Sequence, residues 1–290
     1  MKILFFGHKG WIGSQIIQQW KLLYPNDEII LSNTKVIPSN ESILLSEIQQ
    51  VDRVFSSIGR TSGVINGHLI NNIDYLESNL NENIRDNLYA PLLLAILCMK
   101  SNIHLSYIGT GCIFSKDTTT DEGKIPYIEN SYPDFFGSSY SIVKGYTDNI
   151  MRFMNVANFR IRMPITNEIH PKNFITKIAN FKQICSLPNS MTYLPNCIPE
   201  MIRLSKEQYI GTVNMVNPDY ISHQEILTIY KNIFDPYHTC EYIDQHQLSN
   251  ILLSKRSNNI LQSSNFLHLK PIKDCITEAI SHMKNNLSHT

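Results

Sequence analysis

Tyr140 and Lys144 have the residue types and the spacing of a proton donor and its supporting cation. Four residues apart on a helix, they share one face, and the ammonium group lies near the phenol and favours its ionised form. In a ketone reduction the hydride adds to carbon while the phenol protonates oxygen, and Thr110 is suited to hydrogen-bond the carbonyl. Y-x-x-x-K is common on helix surfaces, but a preceding strand that ends in Thr110 favours the catalytic interpretation.

Cys112 lies beside this set in Gly-Thr-Gly-Cys-Ile-Phe, 109–114. In an extended segment Thr110 and Cys112 point to the same side. A thiolate near Lys144 suits a base that acts on carbon rather than oxygen. The alternative interpretation is a small buried hydrophobe, which is what most free cysteines are.

Apolar runs and helical spacing alternate through the first half of the chain, which predicts an α/β Rossmann-type, doubly wound parallel sheet. The predicted strands are Ile3–Phe6, Glu28–Leu31, Arg53–Ser57, His104–Ile108 and Asn158–Met163, and the predicted helices are Ile12–Trp20, Asn87–Met99 and Ser141–Val156. Pro164 ends this alternation. We therefore predict a nucleotide-binding domain over 1–165 and a smaller C-terminal substrate-binding lobe over 166–290, with one strand near 213–217 returning to the sheet.

Glycines 7, 10 and 13 follow the first predicted strand and open the first predicted helix as G-x-x-G-x-x-G. Such a turn lets a pyrophosphate approach backbone amides at a helix N-terminus. The predicted cofactor contacts here are Gly7, Lys9, Gly10, Trp11, Ile12 and Gly13. No acid directly follows the second strand to hold a ribose diol, and Lys35, with Lys9 as a second candidate, is available for a 2′-phosphate, so the sequence favours NADPH. Both lysines also fit ordinary solvated surface positions.

Composition points away from nucleic acid and membranes as partners. Lys+Arg and Asp+Glu are both 25, so the chain carries no net field toward polyanions. The six cysteines form no C-x-x-C pair, which argues against a disulfide scaffold and a metal site. No apolar window is long enough to span a bilayer, and no apolar signal core precedes Lys2. We expect a soluble, cytoplasmic enzyme acting on a small molecule.

Several longer motifs carry a family resemblance over nearly the whole chain. They are Gly10-Trp-Ile-Gly13, Thr110-Gly-Cys-Ile-Phe114, Tyr140-Ser-x-x-Lys144, Arg160-Ile-Arg-Met-Pro-Ile165, Asn173-Phe-Ile-Thr-Lys-Ile178, Pro188-Asn-Ser-Met-Thr192, Ser222-His-x-Glu-Ile-Leu227 and Arg256-Ser-Asn-Asn259. With them the chain resembles the extended short-chain dehydrogenase/reductases of the dTDP-4-dehydrorhamnose reductase type. It resembles more closely the bifunctional UDP-4-keto-6-deoxyglucose 3,5-epimerase/4-reductases of plants and giant viruses. The segment 60–72 departs from the plant pattern.

The resemblance implies conversion of UDP-4-keto-6-deoxy-D-glucose to UDP-β-L-rhamnose with NADPH, the keto substrate coming from a separate 4,6-dehydratase. It implies that Cys112 is the epimerase base and Lys177 its partner acid. A homodimer is usual for the fold. One alternative is a 4-ketoreductase without epimerase activity, and another is a non-catalytic NADP-binding regulatory subunit.

Further contacts follow from the resemblance. It places Asn87 behind the cofactor, and Ile58 and Gly59 follow a strand where the backbone approaches the adenosine side. Asn173 and Phe174 follow the last sheet strand and are expected at the sugar nucleotide with Thr110 and Cys112, and the fork of Arg256 is suited to the diphosphate. Simpler interpretations stay open: an exposed helix lysine for Lys177, a surface amide for Asn87, loop packing for Asn173 and Phe174, and a surface ion pair for Arg256. Ser222 and Glu225 have capping-box spacing, so His223 is interpreted as part of a helix start rather than as catalytic.

Overall fold

A central parallel sheet organises the molecule. The computed structural model describes residues 1–61, 63–65, 68–70 and 73–287. Its strands are β1 Lys2–Phe6, β2 Glu28–Leu31, β3 Arg53–Ser56, β4 Gly63–Ile65, β5 His68–Ile70, β6 His104–Thr110, β7 Val156–Ile161, β8 Gln183–Cys185, β9 Pro188–Asn189, β10 Gly211–Asn214, β11 Ile221–Ser222 and β12 Glu241–Ile243. Six of them form the sheet, in the order β10-β7-β6-β3-β1-β2.

Helices cover both faces of this sheet and build the C-terminal part of the chain. They are α1 Trp11–Leu23, α2 Glu41–Ile48, α3 Asp74–Glu77, α4 Leu80–Ile84, α5 Ala90–Lys100, α6 Ser139–Met151, α7 Phe174–Ala179, α8 Leu194–Lys206, α9 His223–Ile233, α10 Gln245–Ile251 and α11 Ile272–Leu287. A short 3-10 turn, Pro38–Asn40, precedes α2, and a π-turn, Arg85–Tyr89, joins α4 to α5.

Two apolar layers explain why the sheet strands read as continuous apolar runs. Alternate residues of β1 face opposite sides: Ile3 and Phe5 pack with helices α1 and α8, whereas Leu4 and Phe6 pack with α2 and α5. A strand buried on both faces is typical of a parallel sheet between helix layers. The predicted Rossmann-type fold is confirmed, and β6 and β7 bring their carboxyl ends to the edge where a ligand is expected.

Two predicted boundaries near α6 were wrong. The helix predicted to run from Ser141 to Val156 ends at Met151, and Val156 already begins β7. The strand predicted to reach Met163 ends at Ile161, and Met163 adopts a left-handed conformation with φ of 40°. Apolar residues continue through this turn, so periodicity alone could not separate the helix end from the strand start.

The part of the chain after position 165 contributes both to the sheet layers and to a separate cluster of helices. Helix α8 packs into the same apolar layer as α1, and β10 joins the sheet beside β7, overlapping the predicted strand at 213–217. Helices α7, α9 and α11 form a separate apolar cluster. The predicted division into domains 1–165 and 166–290 stays a prediction, and residues 194–214 belong structurally to the sheet layers.

The segment predicted to differ from the plant pattern, 60–72, lies partly outside the described residues. In its described part β4 and β5 pair antiparallel, and the ring of Tyr75 in α3 lies where a side chain at Gly63 would project. The predicted capping box is confirmed: Ser222 and Glu225 form it at the start of α9.

Candidate active site

The glycine turn between β1 and α1 leaves backbone amides open at a helix N-terminus. Gly7 has φ of +85°, a conformation that glycine adopts without strain, and the Gly10 amide donates to the Gly7 carbonyl at 2.9 Å. Gly10 caps α1 without a side-chain hydrogen bond. Trp11 stacks on His170, with ring centroids 5.1 Å apart. The turn fits a pyrophosphate, which such amides and the helix dipole attract.

Two glycines of this turn differ in how much space surrounds them. A Cβ at Gly13 would lie 2.3 Å from the Gly7 carbonyl oxygen and 2.6 Å from Ser57 Oγ, whereas a Cβ at Gly10 would lie 3.1 Å from the same carbonyl. We expect Gly13→Ala to displace the turn and weaken NADPH binding by about a hundredfold or more, which corresponds to roughly 3 kcal/mol. Gly10→Ala is the milder matched change. Fluorescence titration with NADPH checks the order, and equal affinities in the two variants would contradict it.

An acid does reach the end of β2, although the sequence shows none directly after that strand. Glu47 comes from α2 and accepts hydrogen bonds from the hydroxyls of Ser32, at 2.8 Å, and Thr34, at 2.5 Å. Both carboxylate oxygens are therefore engaged by the loop itself. Lys35 is exposed next to them, and Lys9 is exposed in the glycine turn. The sequence favoured NADPH because no acid directly follows β2. The structure corrects that reason: an acid does lie there, but its oxygens already accept hydrogen bonds from Ser32 and Thr34.

Asn87 lies behind the segment after β3 rather than on a free helix surface. Its side chain accepts from the Arg60 amide at 3.0 Å and donates to the Arg60 carbonyl at 2.9 Å. A Cβ at Gly59 would lie 3.4 Å from the Asn87 side-chain oxygen and 4.0 Å from Lys144 Nζ. Asn87 thus fixes the backbone of Ile58, Gly59 and Arg60 close to the lysine of α6.

Thr110, Tyr140 and Lys144 meet at the carboxyl end of β6. Thr110 is the last residue of the strand, and it lies near the Tyr140 phenol on α6, whose pKa it lowers against the larger effect of burial. Lys144, one turn further along α6, is buried and donates to the hydroxyl of Tyr107 in β6. Ser138 caps the start of α6 and so sets the position of both residues.

The electrostatics differ from the predicted phenol and ammonium pair. Burial raises the pKa of Tyr140, and the neighbouring Cys112 raises it further, so the phenol stays protonated at neutral pH. Burial lowers the pKa of Lys144 to about 8, against the opposing effects of Asp148 and Cys112. A protonated phenol suits a proton donor, and the lysine is anchored by Tyr107, which sequence reasoning missed.

Cys112 is held in the same site by its backbone, which leaves the thiol facing the phenol. Its amide donates to Thr110 Oγ1 at 3.1 Å, and its carbonyl accepts from Ser141 Oγ at 2.7 Å. The side chain packs against Tyr75 of α3 and Tyr140. On its other side Arg162 Nη1 lies 3.7 Å from Sγ, a contact that sequence reasoning did not identify.

Two late motifs support the loop that carries Cys112. Asn259 donates to the carbonyls of Gly111, at 3.0 Å, and Phe114, at 2.8 Å. Asn189 accepts from the Asn259 amide at 3.1 Å. The motifs at 188–192 and 256–259 are therefore tied to the loop that carries Cys112 by hydrogen bonds rather than by sequence proximity.

Lys177 belongs to a group of charges with Arg256 and Asp74. It lies on α7, and burial together with the charge of Arg256 lowers its pKa, while Asp74 acts in the opposite direction. Arg256 does not stand open to a ligand: Nη1 and Nη2 donate to the Asp74 carboxylate at 2.9 and 2.7 Å. Asp74 begins α3, and Cys112 packs against a cluster that contains Tyr75 and Leu76 of the same short helix, so α3 adjoins both the lysine group and the thiol.

Asn173 and Phe174 are engaged with the protein itself. The Asn173 side chain caps α7 by accepting a hydrogen bond from the Ile175 amide. It also donates to the carbonyls of Thr166 and Glu168. Phe174 packs on His223, with ring centroids 5.2 Å apart. His223 is buried against the Cys185 carbonyl, and burial lowers its pKa to about 4. A substrate role for Asn173 and Phe174 stays a prediction.

Comparison with known proteins identifies the family. A protein of Acanthamoeba polyphaga mimivirus is 45% identical over 294 residues, which cover 98% of this chain and 99% of the viral one. The bifunctional dTDP-4-dehydrorhamnose 3,5-epimerase/dTDP-4-dehydrorhamnose reductase of Arabidopsis thaliana is 32% identical over 286 residues, covering 96% of this chain and 91% of its own. This chain belongs to the family of bifunctional 3,5-epimerase/4-reductases of rhamnose nucleotide synthesis.

Solved structures agree with this membership. The crystal structure of the UDP-rhamnose synthase from the same mimivirus superposes with a TM-score of 0.90 at 44% identity, over 98% of this chain and 99% of that one. A dTDP-4-dehydrorhamnose reductase of Clostridium acetobutylicum, 16% identical with a TM-score of 0.79, shares the fold. No family model matches the chain.

The plant relatives also include longer proteins. A trifunctional UDP-glucose 4,6-dehydratase/UDP-4-keto-6-deoxy-D-glucose 3,5-epimerase/UDP-4-keto-L-rhamnose-reductase of Arabidopsis thaliana is 33% identical over 269 residues, 91% of this chain but 39% of its own length. Within the described residues, no helix has the length and apolar character needed to cross a membrane. Nor does that part of the chain gather three or more His, Cys, Asp or Glu side chains into a metal site.

Proposed function

We propose that this enzyme converts UDP-4-keto-6-deoxy-D-glucose to UDP-β-L-rhamnose by 3,5-epimerisation followed by NADPH-dependent 4-reduction. The observation that carries the proposal is one site in which a cysteine thiol lies beside the threonine and tyrosine of a ketone reductase. The Cys112 amide donates to Thr110 Oγ1 at 3.1 Å, and the Tyr140 phenol, whose pKa is raised by burial, lies near both residues. A reductase needs Thr110 and Tyr140 but no thiol beside them.

The order of the two reactions follows from the ketone. A 4-keto group acidifies the hydrogens on C3 and C5, so a base and an acid on opposite ring faces invert each centre through an enolate whose charge lies on the C4 oxygen. Reduction at C4 removes that acidity. Epimerisation therefore precedes reduction, and one pocket serves both because the same carbonyl is polarised each time.

Each residue has a separate task in this scheme. Cys112 removes the proton from carbon, and Lys177 delivers a proton to the opposite face. Thr110 and Tyr140 hydrogen-bond the C4 oxygen, and Tyr140 later protonates it. Lys144, held by Tyr107, stays at the edge of the cofactor site and orients the nicotinamide ribose.

The open amides of the glycine turn fit the pyrophosphate of NADPH, which supplies the hydride that adds to C4. Lys35 and Lys9, both exposed at the cofactor end of the sheet, are proposed to face the 2′-phosphate. Ile58 and Gly59 are proposed to contact the cofactor between these two lysines and Lys144.

Arg256 and Lys177 are proposed to bind the sugar nucleotide, with Arg256 exchanging part of its bond to Asp74 for the diphosphate. Phe174 and Asn173 are proposed to shape the same side of the pocket. We propose that the 4-keto substrate comes from a separate 4,6-dehydratase. A homodimer and a cytoplasmic location complete the proposal.

Incubation of the purified enzyme with UDP-4-keto-6-deoxyglucose in D2O tests the proposal. Without NADPH we expect deuterium at C3 and C5 by mass spectrometry and NMR, because the base acts without hydride. With NADPH we expect UDP-rhamnose. NADPH oxidation without exchange would leave a 4-reductase alone, and no reaction under either condition would favour a regulatory subunit.

A further inference from the structure

Arg162 is a buried cation that contacts no carboxylate among the residues the structure describes. Its side chain is fully buried. The guanidinium donates to the Gly111 carbonyl at 3.2 Å, to Ser257 Oγ at 3.1 Å, to the Ser257 carbonyl at 3.2 Å and to the Asn189 side-chain oxygen. All of these acceptors are neutral. The remaining contact is Cys112 Sγ, 3.7 Å from Nη1.

Arg160, two residues earlier, shows how the same fold neutralises another buried guanidinium. Its Nε and Nη2 donate to the two carboxylate oxygens of Asp148 at 2.8 and 2.6 Å. A buried charge without an opposite charge is strongly unfavourable. The absence of an acid beside Arg162, within the described part of the chain, therefore points to an anion that forms at the site itself.

We propose that Arg162 is a positioning residue of the epimerase that holds Cys112 as a thiolate against the sugar ring. The reaction assigned to that thiolate rests on the proposed function, whereas the pairing of the two side chains does not. As the thiolate removes a proton, the C–H bond breaks, an S–H bond forms and the electron pair moves to the C4 oxygen. The cation then favours loss of the thiol proton to solvent, which regenerates the base.

Other titratable groups that face Cys112 do not replace this cation. Tyr75 of α3 and Tyr140 of α6 are phenols whose pKa values are raised, so both are neutral near pH 7. Lys144 also acts on Cys112, but its charge is shared with Asp148 and its pKa is lowered to about 8. Burial lowers the pKa of Arg162 as well, and the interaction with Cys112 counteracts that effect.

Gly111 allows the approach of this arginine to the catalytic loop. A Cβ at Gly111 would lie 2.8 Å from Arg162 Cγ and 2.5 Å from Leu261 Cδ1. The glycine of Thr110-Gly-Cys-Ile-Phe114 thus lets the stem of Arg162 pass under the loop and bring its Nη1 to the thiol. The glycine and the arginine act as one unit in this arrangement.

The experiment measures the pH profile of Cys112 alkylation by iodoacetamide, followed as the Cys112 peptide by mass spectrometry. Removing the cation in Arg162→Gln is expected to slow alkylation near neutral pH about tenfold or more, equivalent to one unit along the pH axis. Arg162→Lys should fall between Arg162→Gln and the unmodified enzyme. Arg203→Gln, which removes a surface guanidinium of α8 bound to Glu200 and Glu207, should leave the profile unchanged.

An unchanged profile in folded Arg162→Gln overturns the proposal. If that variant does not fold, the ultraviolet difference spectrum between the unmodified enzyme and Cys112→Ala near neutral pH decides instead. A thiolate absorption band supports the pairing, and its absence overturns it. Deuterium exchange by the unmodified enzyme distinguishes the proposed epimerase activity from the pairing of Arg162 with Cys112. If the unmodified enzyme shows no exchange but Arg162→Gln still alters the alkylation profile, the epimerase activity is refuted and the pairing stands.

Discussion

Tyr140→Phe is expected to reduce the rate of 4-reduction by ~10²–10⁴-fold while deuterium exchange at C3 and C5 continues. The variant loses the O–H that protonates the C4 oxygen but keeps the ring that packs against Cys112. Exchange continues because its base is the thiol and because Thr110 still hydrogen-bonds the carbonyl. NADPH oxidation and exchange are measured on the same preparation.

Tyr146→Phe is the matched control, since this exposed tyrosine lies on the same helix α6 and outside the site. It should show the unmodified rates for both reactions. A Tyr140→Phe enzyme that reduces normally, or that loses exchange as completely as reduction, would contradict the separation of tasks between phenol and thiol.

Local sequence spacing predicted the parts of this site that lie on one element or at one turn. Gly7, Gly10 and Gly13 form the turn as expected, and Tyr140 and Lys144 share a face of α6. These relations depend on helix periodicity and on the conformation that a tight turn requires, both of which are written into neighbouring residues. The parallel α/β sheet also follows from alternating apolar and amphipathic segments.

Contacts between distant segments were beyond such reasoning. Glu47 reaches the end of β2 from a helix, and Arg162 reaches Cys112 from beyond β7. The sequence did contain a weak signal for the Arg162 contact. Arg160 and Arg162 lie two residues apart at the end of a buried strand, where both guanidinium groups require partners. Naming those partners needs the packing of β6 against β7 and of residues 257–259 under the loop.

The predicted availability of Arg256 and Asn173 illustrates a second limit. Both residue types are suited to bind a sugar nucleotide, yet the structure shows Arg256 forked onto Asp74 and Asn173 capping α7. Residue type gives the possible bonds, whereas the fold decides which are already made. Arg256 still differs from Asn173, because its partner is the part-buried carboxylate of Asp74, and we propose that a diphosphate replaces part of that bond.

Cys112→Ala is expected to abolish deuterium exchange and UDP-rhamnose formation from UDP-4-keto-6-deoxyglucose, a loss of at least ~10²–10⁴-fold for removal of a general base. Reduction of a substrate already epimerised, UDP-4-keto-L-rhamnose, should continue, since Thr110, Tyr140 and Lys144 remain in place. Cys240→Ala removes a thiol outside the site and should retain both activities.

This comparison distinguishes a catalytic thiol from a packing residue. If Cys112 only filled space between Tyr75 and Tyr140, its removal would loosen the site and slow both reactions together. Loss of exchange alone requires that the sulfur itself takes the proton from carbon. The ketone must persist until C3 and C5 are both inverted, so the same result also fixes the order of the two reactions. Without the thiol, hydride can reach C4 only in the substrate that has not been epimerised. We therefore expect Cys112→Ala to oxidise NADPH without forming UDP-rhamnose.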